Sequence, residues 1–594
     1  MTLTDFALVV HATHEAGVKV GGIGAVLDGL LSQPAYNRAV RRTLVAGPFN
    51  PWDRLEMERL YAPRNGFKAR YSAHDGFYDV PPDVARALTQ VELGYRVRLL
   101  YGTRRFGDAE HEILLVDPRG ADPAAANGLK YHLWERYGID STRYEWLDEY
   151  NLYLNAAEPT AAGLAALVDG AEPDSGQAQR AAIIAHEWLG LPLAFSAARH
   201  QPGVYRTVFY AHETASVRPL VEFHPGHDTR FYNVMVAARQ QGRFLEDVFG
   251  SQRGFFKHAL VSAAAQCDGV FAVGDLVVDE LRFLSPAFAA RPIALVYNGA
   301  PAQAVSLTER FASKQRLQRY AENLYGFRLS WVFTHVTRLV QSKALWRDVR
   351  VMEELDGLLA ARGETAILYL LSSSIPSGRR AEDVMRWEAQ YGWPVAHRAD
   401  NGDLAGLEVE TFQALARYND SAQASRIVLV NQFGWSRDRC GLRMPAEMSF
   451  ADIRNGSDLE FGQSIYEPFG IGQIEPLSAG ALCCLSNVCG CVGFISKAGG
   501  LALPNIVLAD YVTLPPRYQS RSLSELLGLG QWQRDVLEAI TARATAQKIV
   551  SRLPRDEHAA RSLLEQGDEL GQRLSWPVVV EDMFLPGLER LFRG

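Results

Sequence analysis

The stretch FALVVHATHEAGVKVGGIGAVLDGLL, from Phe6 to Leu31, decides how the rest of the chain is read. FALVV is short and apolar at every position, as a strand covered on both faces must be. It runs into a glycine loop and then into IGAVLDGLL, whose apolar residues recur with a helical period. Strand, glycine loop and helix together are the opening of a parallel βαβ arrangement.

The unit recurs along the chain. VRLLYG, EILLVD, AAIIAHEW, RTVFYAHE, DGVFAVG and IALVYNG predict further hydrophobic strands, several of them separated by long segments of helical period. A polar helical stretch, SLTERFASKQRLQRYAENLYGF, then interrupts the series. It restarts with WVFTHVTR, AILYLLSS, RIVLVNQFG, DLEFG, ALCCLSN and NIVLAD. The expectation is an α/β protein of two doubly wound Rossmann-like domains facing across a deep cleft. They span residues 1–300 and 331–570, with a linker over 301–330 and a terminal helix over 571–594 that could cross back to the first domain. Residues 375–425 read as an insertion. A chain of 594 residues has room for several domain-sized units.

Composition narrows the function classes. Hydrophobic residues at 47% and charged residues at 22% are ordinary for a globular chain. A net charge of -7 argues against a generally basic nucleic-acid binder. The N-terminal apolar run lacks a basic flank and reads as a strand, not a signal peptide. No apolar stretch reaches the roughly 18 residues of a membrane helix. A soluble, cytoplasmic protein with no membrane span is expected. Of six cysteines, four crowd into CCLSNVCGC. Its spacing is not the two-plus-two pattern of a zinc site, and its apolar flanks assign these cysteines to the core.

Ligands of open parallel sheets bind beyond the carboxyl ends of the strands, so those ends hold the candidate chemistry. Lys19, Gly21 and Gly22 follow the first strand. Glycines let backbone N–H groups approach an anion and lysine adds a point charge, although a plain strand–helix turn with a surface lysine has the same pattern. Arg338 and Lys343 follow WVFTHVT and could neutralise a diphosphate, or simply begin a solvated helix. His186 and His212 each end a strand. In SIYEPFGIGQIEPLSAGAL, Glu467 and Glu475 bracket the turn formed by Gly470, Ile471 and Gly472. Glu467 would face the cleft, and Glu475 could accept hydrogen bonds from a ribose diol. Pro476 implies that the following helix is short.

Together these residues resemble the retaining glycosyltransferases of the GT-B type. E-P-F-G-I-x-x-x-E is similar to their paired-glutamate motif, and Arg338 with Lys343 to their phosphate-neutralising pair. KVGGIG resembles the glycine loop of glycogen and starch synthases. HEAGVKVGGIGAV, LWERYGI, HEWLG, AHETASV, RFYN and FFKHALVSAAAQCDGVFAVGD resemble, in the same order, segments of the animal and fungal glycogen synthases. The chain has Phe469 and Ile471 where that family commonly reads E-P-W-G-Y, and the family's arginine-rich regulatory helix is not evident.

The resemblance implies transfer of glucose from UDP-glucose or ADP-glucose to a glucan, without a metal or other cofactor. It implies catalytic roles for Glu467, His212, Arg338 and Lys343. Lys19, Gly21, Gly22, Asn298, Gly470, Ile471, Gly472 and Glu475 would bind the donor, and His186 and Glu187 would lie on the acceptor side. A small sugar, sugar phosphate or glycerol derivative as acceptor, a phosphorylase or epimerase on the same fold, and a catalytically silent binding protein are the alternatives. A homo-oligomer is compatible with the sequence.

Overall fold

A computed structural model describes residues 6–168, 180–516 and 521–593. The chain divides into two compact units. The first comprises residues 1–217, 241–299 and 576–594; the second comprises 218–240 and 300–575. The α/β, two-sheet Rossmann-like expectation holds. Among the described residues no helix is long and apolar enough to cross a membrane.

The first unit is built on ten strands: β1 (Leu8–Ala12), β2 (Thr43–Pro48), β3 (Lys68–Ser72), β4 (Phe77–Tyr78), β5 (Arg98–Phe106), β6 (Ala109–Asp117), β7 (Ala181–His186), β8 (Tyr205–Ala211), β9 (Gly269–Ala272) and β10 (Ala294–Leu295). Their order is β10-β9-β8-β7-β1-β2-β6-β5-β3-β4. The run from β10 to β6 is parallel. The remaining pairings are antiparallel. EILLVD, in β6, pairs in parallel with β2 as expected. VRLLYG, in β5, departs from the parallel expectation: it is antiparallel to both β6 and β3, and the β5–β6 hairpin turns at Gly107 and Asp108, where Gly107 has φ +58°. The chain winds outward from β1 in both directions, so its reversal point lies between β1 and β7.

The opening βαβ unit forms as its pattern requires. Helix Gly22–Leu31 buries Ile23, Val26, Leu27, Leu30 and Leu31, one apolar face at helical spacing. Residues from Trp576 onward belong to this unit. The Trp576 indole lies where a side chain on Gly29 or Gly299 would stand, so both positions require glycine.

The second unit holds six parallel strands: β11 (Trp331–Val336), β12 (Ala366–Leu371), β13 (Ser425–Val430), β14 (Leu459–Gly462), β15 (Leu482–Ser486) and β16 (Ile506–Ala509). The order β13-β12-β11-β14-β15-β16 is the doubly wound 3-2-1-4-5-6 arrangement, reversing between β11 and β14. Alternate residues fill two cores. Phe333, Leu368, Leu370 and Phe461 point to one face; Val332, Ile367, Tyr369 and Leu371 point to the other. This two-sided burial is why the strands read as continuous apolar runs. Cys484 sits within the first core, and all six cysteines are buried and free. Residues 375–425 form part of the β12-to-β13 crossover, with helices Ala381–Tyr391 and Glu408–Ser421.

Residues 218–240 join the second unit through one fully buried ion-pair cluster. Arg347 donates to both carboxylate oxygens of Asp228, at 2.9 and 2.7 Å, and to Glu538 at 2.8 Å. Thr229 Oγ1 adds a bond to the Tyr511 carbonyl at 2.8 Å.

Candidate active site

In the second unit, the candidates gather at the sheet's reversal point. Arg338 and the turn Gln341–Lys343 follow β11, and Glu467 follows β14. The Lys343 ammonium donates to a Glu467 carboxylate oxygen. Ser464 and Gln473 also donate to that oxygen, each at 3.4 Å. Burial alone would raise the Glu467 carboxyl. Lys343, and behind it Arg218 and Arg338, outweigh burial and hold it below the ordinary glutamate range.

The local backbone is constrained. Ala344, directly after Lys343, is a buried non-glycine residue at φ +49°, a conformation that persists only where the surroundings enforce it. A Cβ on Gly490 would lie 1.8 Å from the Pro468 carbonyl oxygen. The 489–491 strip therefore runs flush against the Glu467 loop, where Gly490 N–H donates to the Glu467 carbonyl at 2.9 Å. Gly470, at φ +92°, turns the chain into the helical turn Ile471–Ile474. A 3-10 helix, Glu475–Ala479, follows with Pro476 at its start, so the helix is as short as the proline implied. A Cβ on Gly472 would point toward the Arg454 guanidinium at 3.4 Å. Glu475 is ion-paired to Arg454 at 2.6 Å through one carboxylate oxygen, Oε2.

In the first unit, the strand ends carry imidazoles. His11 near the end of β1, His186 at the end of β7 and His212 after β8 stand side by side. His11 Nδ1 and His186 Nε2 are 2.9 Å apart, as are His186 Nδ1 and His212 Nε2. Burial keeps all three neutral, with the pKa values of His11 and His212 lowered to about 3.

Glu187 begins the next helix at φ +62° and is 4% exposed. Its carboxyl accepts the backbone N–H of Glu213 at 2.6 Å. It thereby ties down the turn that carries His212. Burial, then the nearby Glu213 charge, push the Glu187 carboxyl well above the usual range, and its Oε2 has no partner among the described residues. Asn298 likewise has a buried Oδ1 without a partner.

The glycine loop differs from the simple anion-cradle picture. Glu15, only 2% exposed, accepts the N–H groups of Val20 and Gly21, at 2.6 and 2.5 Å. Lys19 pairs with Asp28 at 3.1 Å. A Cβ on Gly24 would lie 2.4 Å from Glu15 Oε2, so the glycine makes room for the loop's own carboxylate. Within this loop, a Cβ meets nothing within 4 Å only at Gly22.

Comparison with known proteins shows the fold. No protein-family model and no curated protein matches the chain. The catalytic domain of starch synthase IV from Arabidopsis thaliana, solved with ADP and acarbose, aligns over 100% of both chains at 13% identity and TM-score 0.51. A UDP-forming α,α-trehalose-phosphate synthase from Burkholderia vietnamiensis aligns over 100% of both chains, with 13% identity and TM-score 0.48. Sucrose-phosphate synthase from Thermosynechococcus elongatus covers 99% of this chain and 98% of its own, with 14% identity and TM-score 0.46. The fold is that of the GT-B glycosyltransferases.

Within this GT-B fold, Arg338, Lys343, Glu467 and the 470–472 turn come together in one unit. His186, Glu187 and His212 come together in the other. Arg338 is exposed, and its side chain makes no hydrogen bond or ion pair among the described residues. Four participants escaped the sequence reading: His11, Tyr36, Arg218 and Arg454. His11 had a signal, a lone imidazole inside an apolar strand. Arg218 had none. It lies 120 residues before Arg338, yet its guanidinium stacks over the Tyr466 ring at 5.1 Å and reaches Ser342 Oγ at 3.5 Å.

Proposed function

We propose that the chain is a retaining glycosyltransferase, moving glucose from a nucleoside diphosphate sugar to a hydroxyl, and that it extends an α-glucan in the manner of glycogen and starch synthases. One observation carries this: Lys343 and Glu467 meet across the β11/β14 reversal point, with Arg218 and Arg338 beside them. Nucleotide sites of open α/β sheets lie at such points, and a cluster of cations around one partly buried carboxylate suits a leaving diphosphate next to a polyhydroxy ring.

Charge grows on the diphosphate as the glycosidic bond breaks. Arg338, Lys343 and Arg218 are pre-placed for that charge and would stabilise the transition state more than the ground state. Glu467 stays ionised and accepts hydrogen bonds from sugar hydroxyls. Gly470, Ile471 and Gly472 shape the floor beneath the phosphates. Glu475, already neutralised by Arg454, can offer its second oxygen to the ribose. In the first unit, His212 addresses the sugar, with Asn298, Lys19, Gly21 and Gly22 on the donor side. His186 and Glu187 belong to the acceptor side. The reading calls for no metal or cofactor. The starch synthase with ADP and acarbose supports a nucleotide donor and a glucan acceptor, with UDP-glucose and ADP-glucose both to be tried.

The test is a matrix of UDP- and ADP-sugars against glycogen, maltooligosaccharides, sugar phosphates and glycerol derivatives, with product configuration read by NMR. Lengthened maltooligosaccharides with α linkages are expected. Inverted product, or full activity in a folded Glu467→Ala variant, sinks the proposal.

A further inference from the structure

The three imidazoles of the first unit continue inward as one single-file chain of hydrogen bonds. His11 Nε2 lies 3.0 Å from the Tyr36 hydroxyl, which lies 3.0 Å from Thr43 Oγ1. The His11 and His186 rings stack at 5.2 Å, and the His186 and His212 rings at 5.1 Å. Tyr36, His11 and His186 are fully buried. Among the described residues His212 Nδ1 is the one imidazole nitrogen of the three without a hydrogen-bond partner.

A neutral imidazole has one donor nitrogen and one acceptor nitrogen. In an unbroken file of neutral rings, each bond holds one hydrogen, so all members point the same way. Fixing the direction at Tyr36 therefore fixes the tautomer at His212, two rings away. The direction follows from acidity. A phenol is a better donor than an aliphatic alcohol, and an imidazole nitrogen is a better acceptor than a hydroxyl oxygen. Tyr36 O–H thus donates to His11 Nε2. His11 Nδ1–H then donates to His186 Nε2, and His186 Nδ1–H donates to His212 Nε2. The hydrogen of His212 is left on Nδ1.

We infer that Tyr36, His11 and His186 are positioning residues that hold His212 as its Nδ1–H tautomer, so that it presents a neutral hydrogen-bond donor to an oxygen of the bound sugar. The sugar's part in this rests on the transferase reading; the tautomer does not. A donor fixed in advance does not have to reorganise when substrate arrives, the advantage of any preorganised dipole.

The decisive measurement is solid-state 15N NMR of the histidine-labelled full-length chain without ligand at neutral pH. Its 14 histidines are assigned through single His→Gln variants. His11, His186 and His212 should all be neutral Nδ1–H tautomers, against the Nε2–H form that neutral histidine prefers in water. Tyr36→Phe, which keeps the ring and removes the donor, should shift His212 away from Nδ1–H although it does not touch that ring. Thr43→Val should leave His212 unchanged, because Tyr36 loses only a bond it accepts. Nε2–H at His212 in the unaltered protein overturns the inference even if neither Tyr36→Phe nor Thr43→Val folds. So does a His212 signal indifferent to Tyr36→Phe, or one that changes in Thr43→Val.

In the transfer assay, Tyr36→Phe should lower kcat/KM for the donor by about tenfold, the scale of one hydrogen bond. The expected tautomers in a protein that transfers no sugar would fail the function alone. Transfer without those tautomers would fail the inference alone.

Discussion

The two units place opposite chemistry at the ends of similar sheets. In the second unit, the strands flanking the reversal point end in ions: Arg338, Lys343 and Glu467, with Arg218 alongside. In the first, β1, β7 and the neighbouring β8 end in three histidines that burial keeps neutral. Beside these is Glu187, whose carboxyl burial pushes toward the protonated form. Topology alone therefore does not set what a strand end can bind. Charge suits phosphate oxygens. An ionised carboxylate such as Glu467 also suits sugar hydroxyls, because a charged acceptor strengthens the hydrogen bond; neutral donors and acceptors suit hydroxyls without attracting free anions.

The largest expected effect tests the charged side. Lys343→Ala should lower kcat by about 10²–10³-fold, as loss of one preorganised donor does elsewhere, and should weaken binding of UDP or ADP alone. His212→Ala should reduce transfer while leaving affinity for the free nucleoside diphosphate intact. Equal weakening of diphosphate binding in both variants, measured by calorimetry, breaks the division between the units.

Stability against pH separates the two carboxylates next. The folded-state pKa of Glu467 lies below its ordinary 4.5, so its ion pair stabilises the protein above that pH and is lost as pH falls through the lowered value. Glu467→Gln should cost about 1–3 kcal/mol at pH 7, with the difference from the unaltered protein closing on acidification. Glu187 has the reverse sign. Its folded pKa lies above 4.5, so the stability it contributes is complete below that pH and is lost as pH rises toward the folded value. Glu187→Gln should be stabilising at neutral pH, by an amount that shrinks toward pH 4.5. Denaturation midpoints measured at several pH values, showing the same sign for both variants, would overturn the opposite pKa directions assigned to the two carboxylates.

The glycine loop allows a finer comparison. Gly24→Ala would drive a methyl group into Glu15 Oε2 and should cost about 1–3 kcal/mol. Gly22→Ala meets open space and should leave thermal stability within about 0.5 kcal/mol of the original. If the loop approaches the donor, Gly22→Ala should still raise the KM for the sugar nucleotide. Unchanged kinetics would remove Gly22 from the site.

Much of the fold was legible because parallel strands buried on both faces leave a plain mark, a short run with no polar position. The β5–β6 hairpin carried the same mark but paired antiparallel, since apolarity does not record strand direction. In the site, EPFGIGQIE disclosed Glu467 and the turn, because glycines and carboxylates in an apolar stretch need a local reason. Glu475 was legible as a residue but not as an ion pair, because Arg454 is brought to it only by folding.

Local chemistry in the sequence thus determined the two Rossmann-like domains, the strand ends where function would lie and most of the side chains offered there. Tertiary structure alone decided which of those side chains meet. Lys343 and Glu467 are 124 residues apart, as are Arg218 and Ser342, and His11 and His186 are 175 apart. Sheet order brings the first and last pairs together, and the docking of residues 218–240 through Asp228 and Arg347 brings Arg218 to Ser342; both depend on how every element packs at once. The same packing withdraws the glycine loop's amides to Glu15 and lines three imidazoles into one file, since an unpaired polar group in a dry interior must find a partner nearby.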